Sequence, residues 1–357
     1  MIYNLQILRA VAALGVVIYH IDYRFVAGVH TDFLGVATFF AISGFIMCFI
    51  TRDGADGFLI SRIIRIVPLY WLCTFARLAV LYRQELLDLS FWADNAALIV
   101  RSLFFLPSEE QPLVAVGWTL NFEIYFYVVF ATALWFSRRF APLIASAIIL
   151  GVFAIDSVAP GMFVTHYYSH MYVHFFLGGI ALFYLWRLTS GRLPKLPTAI
   201  ICVAVLIFSY AIQIAMPAPG NWTFALPVMI VGSMLLMAGA GVDLNWRPLT
   251  LLGDASYALY LTHTLVLGSI KRVAPNVLEL GKSEAVWFVG LLLLCVAVGL
   301  IVHRVIEKPM LRFIRSLMAS RGFGRGRAIA RLRQIDSPGD SLRRAQHPTA
   351  DHIVRII

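Results

Sequence analysis

Residues 5–20 read LQILRAVAALGVVIYH, an apolar run holding one arginine, Arg9, and one histidine, His20, in a span expected to reach about residue 26. Ionisable groups inside a bilayer are costly, so where they occur they face a protein interior and mark a working site. Arg9 and His20 lie eleven residues apart. That is close to three helical turns, which puts both side chains on one face, roughly 16 Å apart along the axis. A helix serving only as an anchor would gain from leucine at both positions. The competing reading is a pair of buried polar groups kept for structure.

The rest of the chain follows from that segment. Of its 357 residues 60% are apolar and 13% charged, which predicts an all-α integral membrane protein. Apolar spans fall at 5–26, 33–51, 63–82, 114–136, 141–159, 170–187, 197–216, 222–240, 250–270 and 284–305. About ten transmembrane helices are therefore expected, with both termini cytoplasmic. The stretch 96–106 is short and broken by Arg101, and reads as an interfacial or re-entrant piece. With the N-terminus inside, the inner loops carry Arg52, Arg62 and Arg65, then Arg138 and Arg139, then Arg187, Arg192 and Lys195, then Arg247. The outer loops are poorer in Lys and Arg, apart from Lys271, Arg272 and Lys282, in keeping with the positive-inside rule.

From Arg304 onward there are twelve Lys/Arg against four Asp/Glu, so +8 of the net +10 lies at the C-terminal end. A basic segment beside a bilayer suits anionic headgroups better than nucleic acid. Cys48, Cys73, Cys202 and Cys295 all sit in apolar runs without metal-like spacing and read as small core residues. A signal-peptide reading of the first segment fails for want of a basic leading region.

Counting 1.5 Å per residue from the ends of the spans puts His20 roughly 22 Å from the inner face, Glu123 about 10 Å below the outer face and His263 about 18–20 Å from the inner one. The three therefore share a level. A neutral histidine held by a carboxylate is a competent base towards a hydroxyl, so Glu123 is expected to orient His20, with His263 alongside. A hydrogen-bonded packing histidine and a satisfied buried glutamate are the plain alternatives. Arg62 and Arg65, three apart on one helix face, form a pair of guanidinium forks suited to phosphate. Arg9 approaches their level. Simple anchoring to lipid phosphates is the alternative for this pair. His166, His170 and His174 recur every four residues but show no acidic or cysteine partner, so no metal site is expected. Phe39 to Phe45 offers a small-residue packing surface, and Ser43 lacks the glycine of a hydrolase-type elbow.

Taken together, LQILRAVAALGVVIYH, GVATFFAISGFIM, FLISRIIRIVPLYW, VGWTLNFEIYFY, SYALYLTH and IEKP resemble the membrane acyltransferase 3 family, and within it the exopolysaccharide-production acyltransferases. The motifs stand in the family's order over about residues 5 to 312. The resemblance implies transfer of an acyl group, usually acetyl, from cytoplasmic acyl-CoA to a carbohydrate hydroxyl. It implies essential roles for Arg9 and His20 and carries the arginine pair over to Arg62 and Arg65. Ala37 stands where many relatives have an aspartate, so any polar role there is lost.

The resulting expectation is a multi-pass O-acyltransferase of the inner (plasma) membrane. Residues 1–315 form the membrane acyltransferase domain, and 316–357 a basic, disordered cytoplasmic tail. His20, Glu123 and His263 are the catalytic candidates; Arg9, Arg62 and Arg65 are the candidates for binding coenzyme A, and no metal is called for. Expected partners are a glycan or lipid-linked saccharide acceptor, membrane lipids and polysaccharide assembly proteins, with no nucleic acid. The rival reading is a transporter or flippase of a lipid-linked saccharide, in which His20 and Glu123 would couple to protons.

Overall fold

Long apolar runs leave the backbone one way to satisfy its own hydrogen bonds in lipid without a neighbour, the α-helix. All regular structure among the described residues is helical. The computed structural model describes residues 2–21, 31–52, 54–81, 87–215, 225–273 and 284–320. The elements are α1 (Tyr3–His20), α2 (Thr31–Thr51), α3 (Phe58–Leu81), α4 (Leu89–Leu103), α5 (Trp118–Phe136), α6 (Ala141–Val158) and α7 (Phe163–Tyr168). They continue as α8 (His174–Thr189), α9 (Lys195–Ala215), α10 (Ala225–Gly239), α11 (Arg247–Asp254), α12 (Ser256–Val273), α13 (Glu284–Val302) and α14 (Lys308–Ser320). Short 3₁₀ turns precede α5 and α8, and a π-helical turn, His303–Glu307, joins α13 to α14.

By length and composition, six helical stretches among the described residues can cross a membrane: Leu34–Thr51, Phe58–Val80, Ala115–Phe136, Ala141–Val158, Met171–Thr189 and Val286–Met318. Lys195–Ser209 and Ala225–Gly239 are apolar but shorter. α1 and α12 are absent from this set because the polar residues they carry, Asn4, Gln6, Arg9 and His20 in one and His263, Lys271 and Arg272 in the other, dilute their apolarity. Residues 22–26 of the first expected span and 222–224 of the eighth lie outside the described residues, as does the tail beyond Ser320. The stretch 96–106 falls on α4 and the turn after it. Asp88 caps α4 by accepting from the Ser90 amide, and the Trp71 indole donates to the Leu103 carbonyl.

α1, α2, α8, α10 and α12 pack around one another at the centre. α2 and α8 cross with their backbones in contact, because Gly44 and Gly179 face each other. A Cβ on Gly44 would strike the Phe176 carbonyl, and one on Gly179 the Ala41 carbonyl. This is the small-residue surface expected in the second span, and such surfaces let membrane helices approach closely. Phe40, Phe126 and Phe176 fill the space beside the crossing, with the last two stacked at 4.1 Å. Asn4 ties α1 to the end of α10: its amide donates to the Met234 and Val242 carbonyls and its carbonyl accepts from the Leu244 amide. All four cysteines are buried and free. α9 and α13 instead turn Ile200, Ile201, Leu293 and Ile301 outward, as a lipid-facing surface requires.

Candidate active site

The three arginines singled out in the sequence meet. Arg9 from α1 and Arg62 and Arg65 from α3 line one cavity of about 120 Å³, together with Glu123 and Tyr127 from α5, Ser43 from α2 and Tyr257 and Tyr260 from α12. α12 is tied to α3 there by the Tyr257 hydroxyl, which donates to the Ile66 carbonyl across 2.7 Å. Arg62 is only 3% exposed, so it does not snorkel to lipid as a topology anchor would. Its Nε donates to Ser61 Oγ at 3.4 Å, and its Nη2 is buried without a hydrogen-bond partner. A buried guanidinium nitrogen on a cavity wall is a donor suited to an anionic oxygen.

Glu123 supplies the counter-charge. Its Oε1 accepts from Ser43 Oγ at 2.6 Å and from the Tyr127 hydroxyl at 2.5 Å, and Arg62 and Arg65 act on it electrostatically. The expected pairing of Glu123 with His20 is therefore replaced by one with Ser43, Tyr127 and the arginines. Depth counting fixes a residue's height but not the face it takes. α5 also begins only at Trp118, after a 3₁₀ turn, which shifts the count from residue 114.

His20 and His263 do come together, with ring centroids 4.9 Å apart and planes at 69°. Each ring places Nδ1 against the carbonyl one turn back, His20 on Val16 at 2.8 Å and His263 on Leu259 at 3.2 Å. A carbonyl can only accept, so Nδ1 carries the proton in both rings and Nε2 is left as the basic nitrogen. His263 is fully buried and its Nε2 has no partner, while His20 is half-buried.

Neither histidine lines the arginine cavity. Phe39 and Tyr260 both line it, their rings 6.1 Å apart, as an aromatic layer that Tyr260 extends towards the histidines. Tyr260 is 6.0 Å from the His263 ring, and its hydroxyl shares a 2.8 Å hydrogen bond with Thr119 at the start of α5. An arginine-lined chamber and an imidazole pair thus flank one aromatic layer, with Tyr260 next to both.

The outer histidines are used otherwise. His166 sits 3.4 Å from Asp156, an acidic partner that the turn from α6 to α7 brings in and that spacing along the chain had not revealed. His170 stacks on Phe122 and Tyr172, and His174 on Phe153 at 4.0 Å. Among the described residues no three His, Cys, Asp or Glu side chains gather as a metal site.

A family model described as "Acyltransferase domain" matches residues 2–304. The chain is 31% identical over 306 residues to "Exopolysaccharide production protein ExoZ" of Rhizobium meliloti (strain 1021), an alignment covering 82% of this chain and 94% of that protein. It is 28% identical over 352 residues to "Putative peptidoglycan O-acetyltransferase YrhL" of Bacillus subtilis (strain 168), covering 85% of this chain and 54% of the relative. It is 23% identical over 345 residues to "O-acetyltransferase OatA" of Staphylococcus aureus (strain NCTC 8325 / PS 47), covering 85% and 56%. The chain thus spans about half the length of these last two. No solved structure matches.

Proposed function

This chain belongs to the acyltransferase domain family, and from that premise we propose that it is an O-acetyltransferase of the inner membrane. In this reading it moves an acetyl group from cytoplasmic acetyl-CoA to a hydroxyl of an exopolysaccharide or other surface glycan. The names of its relatives, an exopolysaccharide production protein and two O-acetyltransferases, support the acceptor class and the group transferred. Ten spans with cytoplasmic termini remain the topology that the loop charges favour.

The observation that carries the reading is the buried, unpartnered Nη2 of Arg62 in a cavity it shares with Arg9 and Arg65. Coenzyme A offers phosphates to such a site, and a guanidinium fork meets phosphate with two hydrogen bonds where lysine meets it with one point of charge. The imidazole pair beyond the aromatic layer supplies the base. His20 Nε2 accepts the proton of the acceptor hydroxyl as its oxygen attacks the thioester carbonyl, the carbon–sulfur bond breaks, and the proton passes on to the leaving thiolate. His263, stripped of water, keeps the neighbouring imidazolium company through its own lone pair.

The test is direct. Purified protein in liposomes is given labelled acetyl-CoA and an oligosaccharide acceptor, and both the release of free coenzyme A and the ester on the sugar are followed. Saccharide ester formed in proportion to coenzyme A released is the expected result. Movement of a lipid-linked saccharide driven by a proton gradient, with no acetyl-CoA consumed, would replace this reading with transport.

A further inference from the structure

The segment joining α6 to α8 reads VTHYYSHMYVHF over residues 164–175, and the chemistry proposed above leaves it unused. Its rings pack in a run against α5. Tyr168 stacks on Tyr125 at 4.2 Å, Tyr167 on Phe122 at 5.1 Å, and His170 on both Phe122 at 5.3 Å and Tyr172 at 5.2 Å. Asn121 pins Tyr167 by donating to its hydroxyl at 2.9 Å. On the open side are Phe163, 42% exposed, and the His166 side chain, 78% exposed, whose Nδ1 lies 3.4 Å from Asp156 Oδ2. This corner is the end of α5, α6 and α8 away from Arg138, Arg139 and Arg187. Phe40 touches both regions: it lines the arginine cavity, and its ring centroid is 6.5 Å from that of Phe122 and 5.8 Å from that of Tyr172.

We propose that this corner is a saccharide subsite, which holds one sugar ring of the acceptor by its C–H face while Asp156, His166 and Tyr125 meet its hydroxyls. A belt of aromatic residues at a membrane surface would account for the rings alone. Two further observations point to a sugar. From Phe140 to Trp186 there is no Lys or Arg, and Asp156 is the one acidic residue, so a phosphate or an anionic headgroup would meet repulsion there and no cation. Within the corner, Asp156 Oδ1, the Tyr125 hydroxyl and Ser169 Oγ are buried without a hydrogen-bond partner among the described residues. Oxygens left so are costly. They also form a mixed set, since a carboxylate only accepts whereas the two hydroxyls both donate and accept. Sugar hydroxyls do both as well, so an uncharged pyranose suits the whole set. Tyrosine rings locked by stacking add a large amphipathic contact surface at little cost in conformational entropy.

The inference rests on the reading that the acceptor is a glycan, and its test separates the two. The probe is an oligosaccharide of repeat length cut from the unacetylated surface polysaccharide of cells lacking this gene. Its binding to the full chain in lipid nanodiscs, without acetyl-CoA, is followed by saturation-transfer NMR, and its acetylation by ester formation. Tyr125→Phe removes one unpartnered hydroxyl and keeps the ring that stacks on Tyr168. Its ligand-free melting midpoint should not fall below the parent's, yet KM for the oligosaccharide should rise about fivefold, the worth of one neutral hydrogen bond. Asp156→Asn should raise that KM about tenfold or more, as a charged acceptor is lost. In both variants kcat should stay within about twofold and KM for acetyl-CoA should not move. Trp135→Ala removes an aromatic that is 82% exposed at the other end of α5, and should leave the oligosaccharide KM at the parent's value. Ester formed on the sugar with an unchanged oligosaccharide KM in Tyr125→Phe and Asp156→Asn would overturn the subsite and leave the transferase reading standing. Oligosaccharide bound by the parent and released by these variants, with no ester formed, would keep the subsite and end the transferase reading. A parent that binds no oligosaccharide would refute the subsite outright.

Discussion

Ser43 Oγ donates to Glu123 Oε1 across 2.6 Å, joining the second helix to the fifth at the floor of the arginine cavity. With Tyr127 on the same oxygen, the carboxylate is held still beside two guanidiniums.

Glu123→Gln should therefore show itself first in stability. Glutamine still accepts from Ser43 and Tyr127, but the arginines lose their counter-charge, a loss worth on the order of 3–5 kcal/mol for a buried pair. The ligand-free variant should melt below the parent, and saturating coenzyme A should raise its midpoint more than the parent's, because phosphate replaces the missing charge. Equal ligand-induced shifts in the two proteins would show that Glu123 does not belong to the anion site.

His20→Ala should lower kcat about 100-fold to 10,000-fold, the usual effect of removing a general base. Affinity for coenzyme A should stay within about threefold, since neither histidine lines the arginine cavity. Turnover and isotherm on the same preparation decide it.

Arg62→Ala should weaken coenzyme A binding roughly ten- to a hundredfold, from a charge-assisted contact of about 1.5–3 kcal/mol. Arg62→Lys should recover only part, as one ammonium cannot reproduce the fork. Titration with coenzyme A and with dephospho-coenzyme A would identify the phosphate concerned.

Gly44→Ala tests the helix crossing. The added methyl meets the Phe176 carbonyl, and overpacking of this sort costs about 1–3 kcal/mol. Gly151→Ala on α6 is the control, because a Cβ there meets nothing within 4 Å and alanine is the better helix former by about 1 kcal/mol. Detergent melting should separate the two variants in opposite directions.

The helical class and the arginine chamber were legible in the sequence. Charge inside an apolar run is costly, so Arg9 pointed to an interior, and the three-residue spacing of Arg62 and Arg65 put both forks on one helix face. The histidine pair was legible too, through shared depth. Depth leaves the azimuth of a helix undetermined, so it did not reveal that Glu123 Oε1 accepts from Ser43 and Tyr127. Tyr127, four residues after Glu123, was within reach of spacing arguments. Ser43, Thr119 and Tyr260 were not, since a lone hydroxyl in an apolar helix can satisfy itself on its own backbone and gives no sign of a distant partner.

The aromatic layer of Phe39 and Tyr260 has a consequence for the cell's energy balance. An enzyme that draws a substrate from one side of a charged membrane and delivers its product towards the other is at constant risk of becoming a pore. In the proposed reaction Tyr260, braced by the Thr119 hydroxyl and edge-on to Phe39, would give the acetyl unit a threshold to cross while denying ions a continuous wet path. Trimming the threshold, as in Tyr260→Ala, should make proteoliposomes leak protons down an imposed gradient even when no acetyl-CoA is present.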